Sequence, residues 1–217
     1  MARVPLLPDE VQVDLETRYA EPHRRYHTMA HIRHVLDEVD SLLAHHCVAD
    51  PDAVRLAAWF HDAVYDPRSP TNEAESAELA ARVLGATRHR HRVPTVRRLV
   101  MATAGHQPGP ERPSGRTAGP ERPPERTAEP GGVAVDEAVL VDADLAVLAG
   151  AEDAYDRYVA AVRAEFAHVD DAGWRAGRAA FVESMLARPR LFTFRGGEPD
   201  ARANLNRELA SLRLPLA

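Results

Sequence analysis

The sequence contains no lysine and only one cysteine. All 27 basic side chains are arginines, so Walker-type phosphate loops and Schiff-base chemistry, which need a lysine, are excluded. The single Cys47 cannot form an internal disulfide, a CxxC redox centre or a zinc site built from several thiolates. No stretch approaches the roughly 18 apolar residues of a transmembrane helix, and the N-terminal residues show no signal-peptide pattern. We therefore expect a soluble, cytoplasmic protein that does not bind membranes.

The charge balance is acidic. The 33 acidic and 27 basic side chains give a formal net charge of −6, which argues against a general nucleic-acid binder. Apolar residues make up 45% of the 217 residues and are spread along the chain. This amount is sufficient to bury the core of one globular domain spanning residues 1–217, or at most of two small ones.

The apolar residues recur at three-to-four spacing, which predicts an all-α domain. One helix is expected to begin at Thr28 as its N-cap and to end near residue 43. The next should begin at Asp50-Pro51 and run to about Tyr65, shortly before Pro67. Further helices are expected at roughly residues 71–84, 94–104, 136–148, 151–167, 170–187 and 199–212.

Residues 107–133 differ in composition from the rest of the chain. They are rich in Pro, Gly, Glu, Arg and Thr, and GPERPSGRTA and GPERPPERTA form an imperfect tandem repeat. Such a segment cannot support a packed core, so it predicts a disordered loop insertion between two helices of the bundle. A functional arginine-rich arm is the competing interpretation, but the glutamates roughly balance the arginines.

The segment LAAWFHDAVYD contains the strongest candidate for a chemical site. It places His61 and Asp62 side by side on an apolar helical segment. Burying a charge without a partner is costly, so a cation held between helices would explain the pair. A surface ion pair at the rim of a helix would explain it equally well.

Two further segments bring candidate metal ligands into apolar surroundings. YHTMAHI places His27 and His31 four residues apart, although His27 precedes the N-cap and could simply pack there. VLVDADLAVL contains Asp142 and Asp144, which point in nearly opposite directions on a helix, so only one of them should face a shared cation. Imidazole and carboxylate groups are common ligands of divalent metals.

The order of these residues resembles the HD superfamily of metal-dependent phosphohydrolases. The match consists of His31, the doublet His61-Asp62 and the distant Asp144. The wider resemblance to an uncharacterised branch of that superfamily lies in RRYHTMAHI, AAWFHDAVYDP, TNEAESA, VDADLAVLAG, ARPRLF and ARANLNREL. It implies an HD-type helical bundle whose metal ligands are these four residues. Asp144 is preferred to Asp142 because relatives follow this aspartate with a short apolar helix.

The resemblance also implies catalytic roles. Asp62 would contact the attacking water as well as the metal, which could be Mn, Fe, Co, Ni, Zn or Mg. Some relatives carry a glutamate shortly after the doublet that orients this water, and the sequence departs from that pattern. Asp66 follows Asp62 by four residues and would share its helix face, so it is the expected substitute.

Four residues are candidates for binding the substrate. Arg24 and Arg25 precede the first motif and could bind phosphate in a bidentate manner, although they also fit exposed arginines at a helix start. His27 and His106 could contact the phosphate or bind a second metal ion.

We therefore expect a metal-dependent phosphohydrolase that acts on a small phosphorylated compound such as a nucleotide. Two alternatives are an HD-fold oxygenase with two irons and a non-catalytic sensor domain that binds a metal or a nucleotide. The C-terminal helix pair could form the interface of a homodimer.

Overall fold

A computed structural model describes residues 5–105 and 134–214 of the chain. These residues form nine α-helices and two short 3-10 helices and contain no strand, which confirms the prediction of an all-α protein. The α-helices are α1 (Asp9–Arg18), α2 (Met29–Leu43), α3 (Pro51–Phe60), α4 (Asn72–Gly85), α5 (Val93–Thr103), α6 (Val135–Asp144), α7 (Glu152–Glu165), α8 (Asp171–Leu186) and α9 (Glu198–Leu212). Within the described ranges, no helix has the length and apolar character needed to cross a membrane. The insertion predicted at 107–133 lies outside these residues.

Two predicted helix starts are confirmed by their caps. The Thr28 hydroxyl accepts a hydrogen bond from the Ala30 N–H at 3.3 Å at the start of α2. The Asp50 carboxylate accepts one from the Ala53 N–H at 3.2 Å, and Pro51 occupies the first turn of α3. Both caps satisfy N–H groups that have no partner inside the helix.

Helix α1 was not predicted from the sequence. Leu15 is the only residue of this helix that is buried, so the apolar periodicity that marks an amphipathic helix is weak. Just after its end, the Tyr19 hydroxyl donates a hydrogen bond to the Trp59 carbonyl at 2.8 Å, which ties this end of α1 to α3.

The expected end of α3 is wrong. The helix stops at Phe60 instead of continuing to about Tyr65, and His61 is its C-cap. The predicted helix at 136–148 is also divided, because α6 ends at Asp144 and a 3-10 helix, Leu145–Ala149, follows it. The helices thus end beside the predicted metal ligands.

The core consists of two apolar clusters that meet at α6. The first is built largely from α2 to α6 and includes Leu140 and Ala143. The second joins the end of α6 and the 3-10 helix after it to α7, α8 and α9, and it includes Val141 and Leu145. Because α6 contributes to both clusters, Asp144 at its C-terminal end lies where they meet.

Candidate metal centre

Side chains from three helix ends converge at one point of the fold. His31 lies in the first turn of α2, His61 and Asp62 follow α3 directly, and Asp144 is the last residue of α6. Both histidines are buried, at 5% and 1% relative exposure. All four residues predicted as metal ligands therefore lie together in the fold, although His31, the His61-Asp62 doublet and Asp144 are 30 or more residues apart along the chain.

The polar atoms of the four side chains lie close together. The His31 Nε2 is 3.3 Å from the His61 Nε2, 3.4 Å from the Asp62 Oδ2 and 3.3 Å from the Asp144 Oδ1. The His61 Nε2 is 3.1 Å and 3.5 Å from the same two carboxylate oxygens. Ligand atoms of His31, His61 and Asp144 all fall within 4.8 Å of one another, a spacing at which one cation could contact each.

The hydrogen bond of His61 fixes the form of its ring. The His61 Nδ1 lies 3.0 Å from the Ala58 carbonyl oxygen, which can only accept, so Nδ1 carries the proton. In the neutral ring the Nε2 therefore directs a lone pair at the cluster, which is the tautomer that binds metals. The His31 Nδ1 is buried and has no hydrogen-bond partner among the described residues. Two imidazole nitrogens facing two carboxylates fit a divalent cation.

The pKa values of the cluster reflect the attraction between its histidines and aspartates. Burial lowers the pKa of His31, but hydrogen bonds to Asp144 and Asp62 outweigh it, and the net shift is upward. Burial also lowers the pKa of His61, but the charge of Asp62 outweighs burial and raises this pKa well above its ordinary value. Burial would raise the pKa of Asp62, yet the neighbouring histidines hold it well below its usual range. Protons and a cation would thus compete for this site.

The two aspartates of α6 have different surroundings. The buried Asp142 carboxylate accepts hydrogen bonds from the backbone N–H groups of Thr193, Phe194 and Arg195 at 2.6–3.0 Å. Burial raises the pKa of Asp142 and these N–H groups lower it, with a net rise. Asp144 lies with the histidines, as the resemblance implied, and Asp142 anchors the loop between α8 and α9.

A cavity of about 290 Å³ opens beside the cluster. Asp62 and Asp144 line it, and their side chains retain 15% and 11% relative exposure. The other lining residues are largely aromatic or aliphatic and include Tyr26, His27, Tyr65, Thr103, Leu145, Val147, Leu148, Tyr158, Val162, Phe166, Arg178 and Phe181. The carboxylates are therefore accessible to a small ligand that enters the cavity.

Arg178 carries a positive charge into the cavity wall. Its guanidinium forms two hydrogen bonds to the Glu208 carboxylate at 2.8 and 3.1 Å and donates a third to the Tyr158 hydroxyl at 3.0 Å. The carboxylate also accepts a hydrogen bond from the Tyr155 hydroxyl. Burial lowers the pKa of Arg178, but interactions with Tyr158 and Glu208 outweigh it and raise it. The charge of Arg178 is thus balanced inside the protein.

Glu165 is a functional candidate that the sequence did not reveal. One oxygen accepts hydrogen bonds from the backbone N–H groups of Arg25, Tyr26 and His27 at 2.7, 2.8 and 3.0 Å. The other accepts from the His27 Nδ1 at 2.7 Å and from the Tyr65 hydroxyl at 2.8 Å. Burial would raise the pKa of Glu165, but these hydrogen bonds and the charge of His27 lower it to about 2.

A signal for Glu165 was present in the sequence. The residue ends α7, where the helix dipole disfavours a carboxylate. An acidic residue in that place, in a segment predicted to be amphipathic, indicates a partner elsewhere in the fold. The sequence does not indicate which partner, because His27 is 138 residues away.

Arg24 does not face the cavity as a phosphate ligand would. Its side chain is fully buried, and the guanidinium donates hydrogen bonds to the carbonyl oxygens of His27 at 3.1 Å, Asp62 at 2.8 Å and Ala63 at 3.4 Å. These contacts leave it no accessible donor for a substrate. Arg24 instead fixes the turn that carries the His61-Asp62 doublet. The alternative expectation, an exposed arginine at a helix start, is therefore also wrong for Arg24.

Arg25 and Asp66 lie at a second surface depression, outside the cavity described above. Arg25 is exposed and donates to the Arg24 carbonyl at 2.9 Å. Asp66 is exposed as well, and its carboxylate accepts a hydrogen bond from the Arg68 N–H at 2.9 Å. Because α3 ends at Phe60, Asp66 does not share a helix face with Asp62, which corrects the basis on which it was expected to orient water.

The two remaining candidates have different outcomes. His27 precedes the N-cap of α2, as the sequence suggested, and its ring lines the cavity with its centroid 5.8 Å from that of His31. His106 lies outside the described residues, so its role stays a prediction. No protein-family model, no characterised protein sequence and no solved structure matches this chain.

Proposed function

We propose that this protein is a metal-dependent phosphohydrolase of the HD type that cleaves a small phosphorylated compound such as a nucleotide. The observation that carries the proposal is the convergence of two buried imidazoles and two carboxylates beside a cavity. A divalent cation would balance the charge of the two carboxylates in place of protons on the histidines, and the cavity side of the site remains open. An incomplete ligand shell of this kind is typical of catalytic metal sites.

Each residue of the site has a distinct role in this proposal. His31, His61 and Asp144 hold the cation from the protein side. Asp62 contributes a ligand oxygen and, because its carboxylate also lines the cavity, accepts a hydrogen bond from the attacking water. A bound divalent cation would make a water acidic enough to attack near neutral pH and would neutralise phosphate charge.

The cavity wall supports a substrate of modest charge. Glu208 already balances the charge of Arg178, so neutralisation of the phosphate falls mainly to the cation. The aromatic and aliphatic residues opposite the carboxylates suit the organic part of a small ester.

A single cation fits the described residues better than the two irons of an oxygenase. The described residues provide one group of three closely spaced ligand atoms, which belong to His31, His61 and Asp144. His27 lines the cavity outside this group and does not form a second group of this kind with other described residues. We therefore expect about one ion per chain.

Elemental analysis and phosphate release test the proposal together. The purified protein should contain about one divalent ion per chain, and His61→Ala should lose it. Asp37→Ala, an exposed substitution on α2, serves as the matched control for Asp62→Ala. Asp62→Ala should abolish metal-dependent phosphate release while leaving the far-ultraviolet circular dichroism spectrum intact. Unchanged release in Asp62→Ala would overturn the proposal, and two irons per chain would favour the oxygenase.

A further inference from the structure

The water-orienting group that the sequence predicted at Asp66 is missing from the cavity. Asp66 is exposed and its carboxylate is bound to the turn that contains it. Among the polar side chains that line the cavity, His27 is an imidazole whose Nδ1 is held by a buried carboxylate, that of Glu165.

Glu165 determines which nitrogen of His27 carries the proton. Its carboxylate can only accept hydrogen bonds when ionised, so the His27 Nδ1 at 2.7 Å must donate. The neutral ring is then the Nδ1–H tautomer, with a lone pair on Nε2 at the opposite edge. Glu165 does not line the cavity and His27 does, so this opposite edge is the one available to the cavity.

The position of the ring is fixed as firmly as its tautomer. The same carboxylate accepts three backbone N–H groups of the segment that carries the ring, including that of His27 itself. The Tyr65 ring packs against the His27 ring at a tilt of 30° with a centroid distance of 4.2 Å, and its hydroxyl donates a hydrogen bond to Glu165. Backbone, ring and neighbouring aromatic residue are thus all held by one carboxylate.

We propose that Glu165 is a positioning residue that holds His27 as the Nδ1–H tautomer, so that the His27 Nε2 accepts a hydrogen bond from the attacking water in the cavity. This inference rests on the proposed hydrolase function for the role of the water, but its structural part does not depend on turnover. Buried carboxylates that orient a catalytic imidazole act in the same way in other enzymes.

Glu165→Gln is the decisive substitution. The amide oxygen can still accept the three backbone N–H groups, whereas the amide NH2 group takes the place of the oxygen that accepts from His27. An NH2 group can only donate, so the His27 Nδ1 must become the acceptor and the proton must move to Nε2. The cavity would then face a donor instead of an acceptor.

Nitrogen-15 spectra of the histidine rings read this change directly. Spectra are recorded on the full chain with Zn²⁺, which is diamagnetic, and the His27 signals are assigned by their loss in His27→Gln. We expect the Nδ1–H tautomer in the wild type and the Nε2–H tautomer in Glu165→Gln. Tyr65→Phe, which removes the other hydrogen bond to the same oxygen, should leave the tautomer unchanged. An Nε2–H ring in the wild type, or an unchanged ring in Glu165→Gln, would overturn the proposal.

Kinetics test whether Glu165 acts through His27. Glu165→Gln and His27→Gln should each lower kcat by about 100-fold with little change in KM, and the double variant should fall no further than the single ones. Additive losses, or a wild-type kcat in Glu165→Gln, would contradict the proposed role. If Glu165→Gln fails to fold, the wild-type tautomer and His27→Gln still decide. Absence of any phosphate release by the wild type would refute the hydrolase function, while the spectra would still test the Glu165–His27 pair.

Discussion

The two aspartates of α6 allow binding and stability to be separated by matched substitutions. They are two residues apart on one helix, yet Asp142 anchors the loop before α9 and Asp144 lies with the histidines. Asp142→Ala should therefore lower the free energy of unfolding and leave metal binding intact. Asp144→Ala should weaken metal binding and leave the free energy of unfolding of the metal-free protein nearly unchanged.

The size of the stability effect follows from the hydrogen bonds that Asp142 accepts. Its removal leaves three backbone N–H groups without an acceptor, and each unsatisfied buried donor costs about 1–3 kcal/mol. Because the donors lie in a partly buried loop that water can reach after substitution, we expect a total near the lower end, about 3 kcal/mol. After loss of the Asp144 carboxylate, His31 and His61 keep the Asp62 carboxylate as a partner, so the metal-free stability should change by only about 1 kcal/mol.

Urea unfolding in the presence of a chelator measures the first effect, and titration of the metal-free protein with Zn²⁺ measures the second. Asp144→Ala removes a proposed direct ligand and should therefore weaken metal affinity by at least about 100-fold, since changes to groups around metal ligands already cost about 10–100-fold. The reasoning would be refuted if Asp142→Ala lost metal affinity to the same extent, or if Asp144→Ala bound metal like the wild type.

Three further predictions concern the groups around the cluster. The pKa of Glu165 is lowered from 4.5 to about 2 in the folded protein, so the ionised carboxylate stabilises the fold above pH 4.5 and this contribution is lost as the pH falls toward 2. Between pH 7 and pH 3 the free energy of unfolding should therefore fall more for the wild type than for Glu165→Gln, whose amide does not titrate. Arg24→Met should lower the free energy of unfolding by about 3 kcal/mol, because buried carbonyl oxygens lose their donor. Arg25→Ala, at the adjacent exposed position, should change it by less than about 0.5 kcal/mol. Equal effects of the two substitutions in urea unfolding would contradict a structural role for Arg24. Addition of Zn²⁺ should raise the Tm of the wild type and not that of His31→Ala, since a ligand that binds only the folded state stabilises it.

The sequence predicted the helical class and named four residues that converge beside the cavity, but it did not predict where the helices end at that place. Thr28 and Asp50 mark helix starts through local side-chain caps, which are visible in the sequence. The end of α3 has no such local mark, because the apolar pattern continues past His61. The turn is held instead by Arg24, which binds carbonyl oxygens 38 and 39 residues away.

The basis on which Asp66 was expected to orient the water was wrong for a related reason. That expectation relied on continuous helix between Asp62 and Asp66, whereas α3 ends at Phe60 and Arg24 holds the turn that follows it. In our proposal His27 takes the place of Asp66, and it depends on Glu165, which is 138 residues away along the chain. Local periodicity cannot reveal such a pair, although the unfavourable place of a carboxylate at the end of α7 does indicate that Glu165 has a partner.

The segment before α2 is held from both sides by buried ionic groups. The Arg24 guanidinium binds the carbonyl oxygens of His27 and of the doublet turn, while the Glu165 carboxylate binds the N–H groups of the same segment. Residues just outside a helix lack the helix's own hydrogen bonds, so a ligand placed there needs other partners to stay in position. The Arg24 and Glu165 side chains supply these partners to the His61-Asp62 doublet and to His27. Placing the reactive groups at helix ends keeps them accessible to the cavity, and the two buried ionic groups keep them ordered.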